Sequence, residues 1–215
     1  MHDSSDKPDD PLISSIEKFD HAMQEATAMY SQLAKHCFTD LTAIAEQAAH
    51  ALRNGKRLFF CGNGGSAAEC QHLATEFVVR LSAQRERAAL SAIALTTDTS
   101  LLTACSNDYG FDRVFSRQLE AHMHVGDLVF FLTTSGRSAN LLVAAQTAGV
   151  LGGIRIGFLG IDPTPLDHYL DFALRIPSHS GQRVQEAHLL CGHMLVELIE
   201  DMLMAHPAET ARVTR

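Results

Sequence analysis

Two short loops rich in glycine and hydroxyl side chains stand out: Cys61-Gly62-Asn63-Gly64-Gly65-Ser66 and Thr133-Thr134-Ser135-Gly136-Arg137-Ser138. Each follows an apolar run and precedes a helical stretch. A loop of this build turns backbone N–H groups and hydroxyls toward one point at the positive end of a helix, which is chemistry for holding a phosphate. One such loop is explained by a tight turn that needs glycine. Two, both carrying Ser or Thr, point to a phosphorylated small molecule lying across the ends of a sheet. The run Gly62 to Ala67 also satisfies the dinucleotide pattern G-x-G-x-x-A. That pattern wants an acidic residue ending the second strand about 20 residues on. Here the second strand ends in Thr96-Thr97-Asp98, too late and after two threonines, so the dinucleotide reading is weak.

A second group of polar residues lies on two helices. His72 and Glu76 are four apart and share a face, and Arg80 is expected to continue that face one turn later. The last helix is apolar almost all round (Val184, Ala187, Leu190, Leu195, Ile199), so it should be buried, with Gln185, His188 and His193 as exceptions. Buried polar groups cost free energy unless paired, so these three face partners, water, a metal or a ligand. Imidazoles with a carboxylate suit zinc, although Gln is an uncommon ligand. Without metal, Glu76 abstracting a proton and His193 delivering one form a general acid/base pair. His188 has a blander reading, a hydrogen bond to backbone alone, and His72 could serve only to orient Glu76.

The elements that must position these groups alternate. Apolar residues at spacings of three and four (Ile16, Phe19, Met23, Ala26, Tyr30, Leu33) predict a helix over Leu12 to Lys35. A second helix carries Phe38, Leu41, Ile44, Ala48 and Leu52 and stops at Gly55. Two helices before the first strand are a cover for the sheet or an oligomer interface. Strands are predicted at Arg57 to Cys61, Ser91 to Leu95, Leu128 to Leu132, Ile154 to Leu159 and Phe172 to Ile176. Helices are predicted at Ser66 to Leu81, Leu101 to His122 (one or two), Ser138 to Ala148 and Val184 to Met204, with a short turn or helix near Leu166. Continuous apolar strands alternating with helices imply a five-stranded parallel, doubly wound sheet of the flavodoxin-like kind, with extra N-terminal helices.

The chain of 215 residues suffices for one α/β domain, and 46% hydrophobic with 20% charged residues fits a globular protein. A net charge of −8 argues against nucleic acid or an anionic membrane as partner. No run of 18 apolar residues is present, and Met1 to Pro11 is polar and acidic, read as a disordered tail and not as a secretory signal. Cys37, Cys61, Cys70, Cys105 and Cys191 lack CxxC spacing and read as buried thiols in a reducing cytoplasm. Residues 12–206 are expected to form the domain, with 207–215 a C-terminal tail.

Through GNGGSAAECQHLATEF, CSNDYGF, TTSGRS and RVQEAHLLCGH, the chain resembles the sedoheptulose-7-phosphate (phosphoheptose) isomerases, which are sugar-isomerase, or SIS, domains. The resemblance runs from about Leu12 to Met204. It implies an aldose–ketose isomerase making D-glycero-D-manno-heptose 7-phosphate for bacterial lipopolysaccharide or a related glycoconjugate. It implies substrate contacts from Asn63, Gly64, Gly65, Ser66, Glu76, Arg80, Asn107, Asp108, Thr133, Thr134, Ser135, Ser138 and Gln185. It also implies Glu76 and His193 as catalytic groups, zinc on His72, Glu76, Gln185 and His193, and a homotetramer. The chain departs from the family at Thr133, where many members have Ser, at Arg137, where Asn is common, and at Gln182, where some carry Asp. Gly160 to His168 differs as well. Related SIS proteins bind the replication initiator without catalysis, or sense a phosphosugar. From the resemblance, the former lack the carboxylate and histidine present here at Glu76 and His193.

Overall fold

The computed structural model describes residues 11–205. Two helices lead, α1 (Pro11–His36) and α2 (Phe38–Arg53). The alternation follows: β1 (Leu58–Gly62), α3 (Gly65–Val78), β2 (Ala92–Ala94), α4 (Thr99–Tyr109), a 3₁₀ turn (Phe111–Arg113), α5 (Ser116–His122), β3 (Leu128–Leu132) and α6 (Ala139–Val150). Then come β4 (Ile154–Leu159), a second 3₁₀ turn (Pro165–Tyr169), β5 (Phe172–Arg175) and α7 (Gly181–Ala205). The predicted tails fall outside the described residues, except that α1 already begins at Pro11.

All five strands are parallel, in the order β2-β1-β3-β4-β5. Every residue of β1 and β3 is buried, which is why their sequences are unbroken apolar runs and do not alternate. The period of two still sorts their side chains. Phe60 and Phe130 stack on the face covered by α2, α3 and α7, and Phe59, Val129 and Phe131 face α4, α5 and α6. The strand order reverses between β1 and β3. The loops leaving those two strands therefore part around a crevice at the carboxyl edge of the sheet, where ligands of such sheets bind.

Two readings of the sequence are corrected, at α3 and α1, and the open choice of one or two helices over Leu101 to His122 falls on two. The α3 helix ends at Val78, because Val79 leaves the helical region at φ −92° and ψ −81°. Arg80 therefore does not continue the face of His72 and Glu76, and pairs with Glu86 at 2.9 Å on the surface. The stretch Leu101 to His122 is broken by Gly110, whose φ of +92° admits glycine far more readily than other residues. On α1 the predicted apolar stripe is buried only toward its C-terminal end. Leu33 packs inward together with Met29, which lies off the stripe, while Ile16, Phe19 and Met23 are more than half exposed, Phe19 at 66%. Within one chain the N-terminal half of the stripe is left uncovered.

Candidate active site

The first loop is shaped by glycines. Gly64, the residue before α3, holds φ +56° and ψ −123°. At Gly62 a Cβ would press on the carbonyls of Leu132 and Ser66 at 2.9 Å. The loop thus lies against the end of β3, and its side chains join it to the second loop. Asn63 Nδ2 donates to Asn140 Oδ1 at 3.0 Å, and Asn140 Nδ2 donates back to Asn63 Oδ1 at 2.8 Å. Asn140, in the first turn of α6, is buried. This reciprocal amide pair spans the switch point and locks the two loops at one spacing. The side chain of Asn63 is therefore occupied in the scaffold.

In the second loop Thr133 is also structural. Its buried Oγ1 accepts from the N–H of Gly136 at 3.1 Å and closes the turn. Gly136 has φ +58°, and a Cβ there would collide with the side chain of Thr164. Thr134 is half-buried and Ser135 exposed. Ser138 precedes α6 and does not spend its hydroxyl on capping that helix. The hydroxyls of these three, with the start of α6, can meet an anion.

On α3 and α7, which run side by side on one face of the sheet, the polar residues converge. His72 Nε2 lies 2.8 Å from His193 Nε2 and 3.5 Å from Glu76 Oε1. One donor atom from each of the three falls within 4.8 Å of the others. A tetrahedral ion bonded at about 2.0–2.1 Å separates its ligands by about 3.3 Å. The observed 2.8 and 3.5 Å bracket that value, so two imidazoles and a carboxylate here fit a divalent ion. Gln185 is placed differently. Its amide lies 3.0 Å from where a Gly65 Cβ would be. That is two turns before His72, about 10 Å along the helix.

Other expected residues stay apart from this cluster. Asn107 donates to Asp108 at 2.9 Å, and both are exposed at the far end of α4. That helix of 11 residues runs back from the carboxyl edge on the opposite face. Counted from Thr99, it carries them about 12–14 Å along its axis. His188 is fully buried, with Nε2 3.4 Å from the carbonyl oxygen of Leu159 and its ring against Phe158. Burial pushes its pKa down to about 4, so it stays neutral, and its contact is to backbone as the blander reading held.

Sequence reasoning passed over Asn140 and Glu69. Glu69 shares the α3 face of His72 and Glu76, three residues before the first. Its Oε2 is buried without a hydrogen-bond partner, and burial pushes its pKa up to about 7, opposed by the Ser66 hydroxyl. The spacing Glu69, His72, Glu76 is a helical stripe that was open to reading. The Asn63–Asn140 pair joins residues 77 apart, and no local pattern announces it.

Among the described residues no helix is long and apolar enough to cross a membrane. The model of a SIS domain matches residues 22–160. A phosphoheptose isomerase of Roseiflexus is 48% identical over 163 residues, 76% of this chain and 82% of the relative. One from Rhodospirillum rubrum is 44% identical over 188 residues, 84% of this chain and 99% of the relative. The solved phosphoheptose isomerase of Neisseria gonorrhoeae superposes with a TM-score of 0.81 at 35% identity, over 86% of this chain and 98% of the other. The fold, the loops of the switch point and sequence identity at this coverage agree, and the chain belongs to the phosphoheptose isomerase family, isomerases built on a SIS domain.

Proposed function

We propose that this chain interconverts sedoheptulose 7-phosphate and D-glycero-D-manno-heptose 7-phosphate. The observation that carries the reading is the contact of His193 with His72 at 2.8 Å, with Glu76 alongside, on helices that flank the switch-point crevice. The phosphate sits on Thr134, Ser135 and Ser138 at the start of α6, and Gly64, Gly65 and Ser66 support the sugar from the other side. Glu76 moves a proton between C1 and C2 of the open-chain sugar through a cis-enediol, and His193 moves the proton on the oxygen side. A non-catalytic sensor or initiator-binding protein has no need of such an arrangement.

His72, Glu76 and His193 are the residues that would hold zinc, and Gln185, whose amide lies beside Gly65 facing the substrate, would join them only by swinging its side chain along α7 toward the cluster. Zinc there supplies Lewis-acid polarisation of the substrate carbonyl. The exposed stripe of α1 supports a homotetramer, because Ile16, Phe19 and Met23 need a cover that one chain does not provide. Asn107, Asp108 and Arg80, remote from the cluster of their own chain, then serve at subunit boundaries. Residues 12–206 act as one catalytic domain, with heptose-containing glycoconjugates as the destination of the product.

The test is to incubate the purified protein with sedoheptulose 7-phosphate and follow aldose formation by NMR, with and without chelator. Aldose should form, stop with chelator and resume with zinc. A folded, zinc-loaded protein that yields no aldose refutes the assignment. Full activity in metal-free protein refutes the zinc role and leaves Glu76 and His193 as an acid/base pair.

A further inference from the structure

Below the histidine–glutamate cluster, α3 and α7 are joined by one buried ion pair. Arg87, in the connection from α3 to β2, donates from Nε to Glu200 Oε1 at 2.7 Å. The same guanidinium donates from Nη2 to the backbone oxygen of Glu76 at 2.7 Å and from Nη1 to that of Phe77 at 2.8 Å. The side chains of Arg87 and Glu200 are 9% and 1% exposed. Glu200 follows His193 by seven residues, two turns along the same face of α7. One rigid planar group thus grips the peptide carbonyl of Glu76 and a carboxylate fixed relative to His193.

Stability alone is a poor reason for such a pair. Burying two charges costs about as much as their attraction returns, and apolar residues of similar volume often do as well. The other oxygen of Glu200, Oε2, is buried and has no hydrogen-bond partner, which adds to the cost. Neither group reaches the reacting atoms. We propose that the Arg87–Glu200 pair is a positioning device that sets the separation of α3 and α7, and through it the approach of His193 to His72 and Glu76. This rests on the reading of that cluster as the reacting centre. Arginine is the residue for the task because its fork makes four bonds in fixed directions, the fourth from Nη1 to the backbone oxygen of Ala88 at 3.1 Å, where a lysine is a single point charge. The nearby Arg85–Asp201 pair joins the same two segments from the surface, at 37% and 59% exposure, and serves as the control.

Arg87→Met alone leaves a buried carboxylate without its partner and unfolds readily, so the informative variant is Arg87→Met/Glu200→Leu, which removes both charges. Its Tm should lie within a few degrees of wild type. Its kcat on sedoheptulose 7-phosphate should fall roughly 10- to 100-fold, the cost of misplacing catalytic groups by an ångström or less. KM should stay within about twofold, because the phosphate loops rest on β1 and β3. Arg87→Lys should lose kcat in the same direction by a smaller factor. Arg85→Met should leave both constants unchanged. A readout free of turnover is the NOE between the His72 and His193 rings in metal-free protein, whose centroids lie 5.0 Å apart. It should be present in wild type and lost or weakened in the double variant. A folded double variant with wild-type kcat and an intact ring NOE overturns the proposal, as does Arg87→Lys with both unchanged if the double variant does not fold. If wild-type protein is inert toward the ketose phosphate, the functional reading fails, and the ring NOE still decides whether the pair positions the helices.

Discussion

Removing one half of the Asn63–Asn140 pair should cost more than a surface hydrogen bond and should loosen the phosphate site. Asn63→Ala deletes two bonds, of 3.0 and 2.8 Å, and strands the amide of Asn140, which is 2% exposed. Each bond contributes about 1 kcal/mol net, and a buried polar group left unpaired costs about 1–3 kcal/mol. The single variant should therefore lose about 2–4 kcal/mol, and Asn140→Ala a similar amount. Removing both partners leaves no stranded amide, so the double variant should be about as stable as either single one, a coupling of about 2–4 kcal/mol. Urea denaturation of the four proteins measures this. The loops from β1 and β3 would also lose their fixed spacing, so KM for the ketose phosphate should rise by about tenfold, with kcat less affected. A cycle that closes additively within about 0.5 kcal/mol would refute the reasoning, since independent sites behave that way.

Further outcomes are expected. Glu76→Gln and His193→Gln should each lower kcat by at least ~10²-fold with the circular-dichroism spectrum unchanged, and wild-type turnover in either would remove it from the mechanism. His188, whose pKa falls from 6.5 to about 4 on folding, takes up its proton in the unfolded chain first. Its contribution is therefore fully present above pH 6.5 and is lost as pH falls toward 4, by up to about 3 kcal/mol at 1.36 kcal/mol per pH unit. His188→Gln should flatten that part of the stability profile, and a difference from wild type independent of pH would count against it. Removing residues 1–35 should give a smaller or aggregated species with little turnover by light scattering and assay. An active truncated monomer would mean that each site is complete within one chain.

Much of the framework is written in short stretches of sequence. The bounds of β3 and β4 match the residue reading because a strand buried on both faces is an uninterrupted apolar run, as Leu128 to Leu132 is. The two loops are legible for a similar reason, since Gly64 and Gly136 hold positive φ angles that few other residues adopt cheaply. The adjacency of His72 and Glu76 follows from helical spacing alone, and so does Glu69 on the same stripe. Periodicity speaks only for neighbours a few residues apart, and there the sequence stops. That α3 stands beside α7 is settled by the sheet order β2-β1-β3-β4-β5. It brings His193 to His72 across 121 positions, and Glu200 to Arg87 across 113. The end of α3 at Val78, which leaves Arg80 on the surface, and the neutral, backbone-bonded state of His188 are likewise tertiary outcomes. Both depend on which carbonyls and charges arrive from distant segments, and side-chain type by itself carries no record of those arrivals.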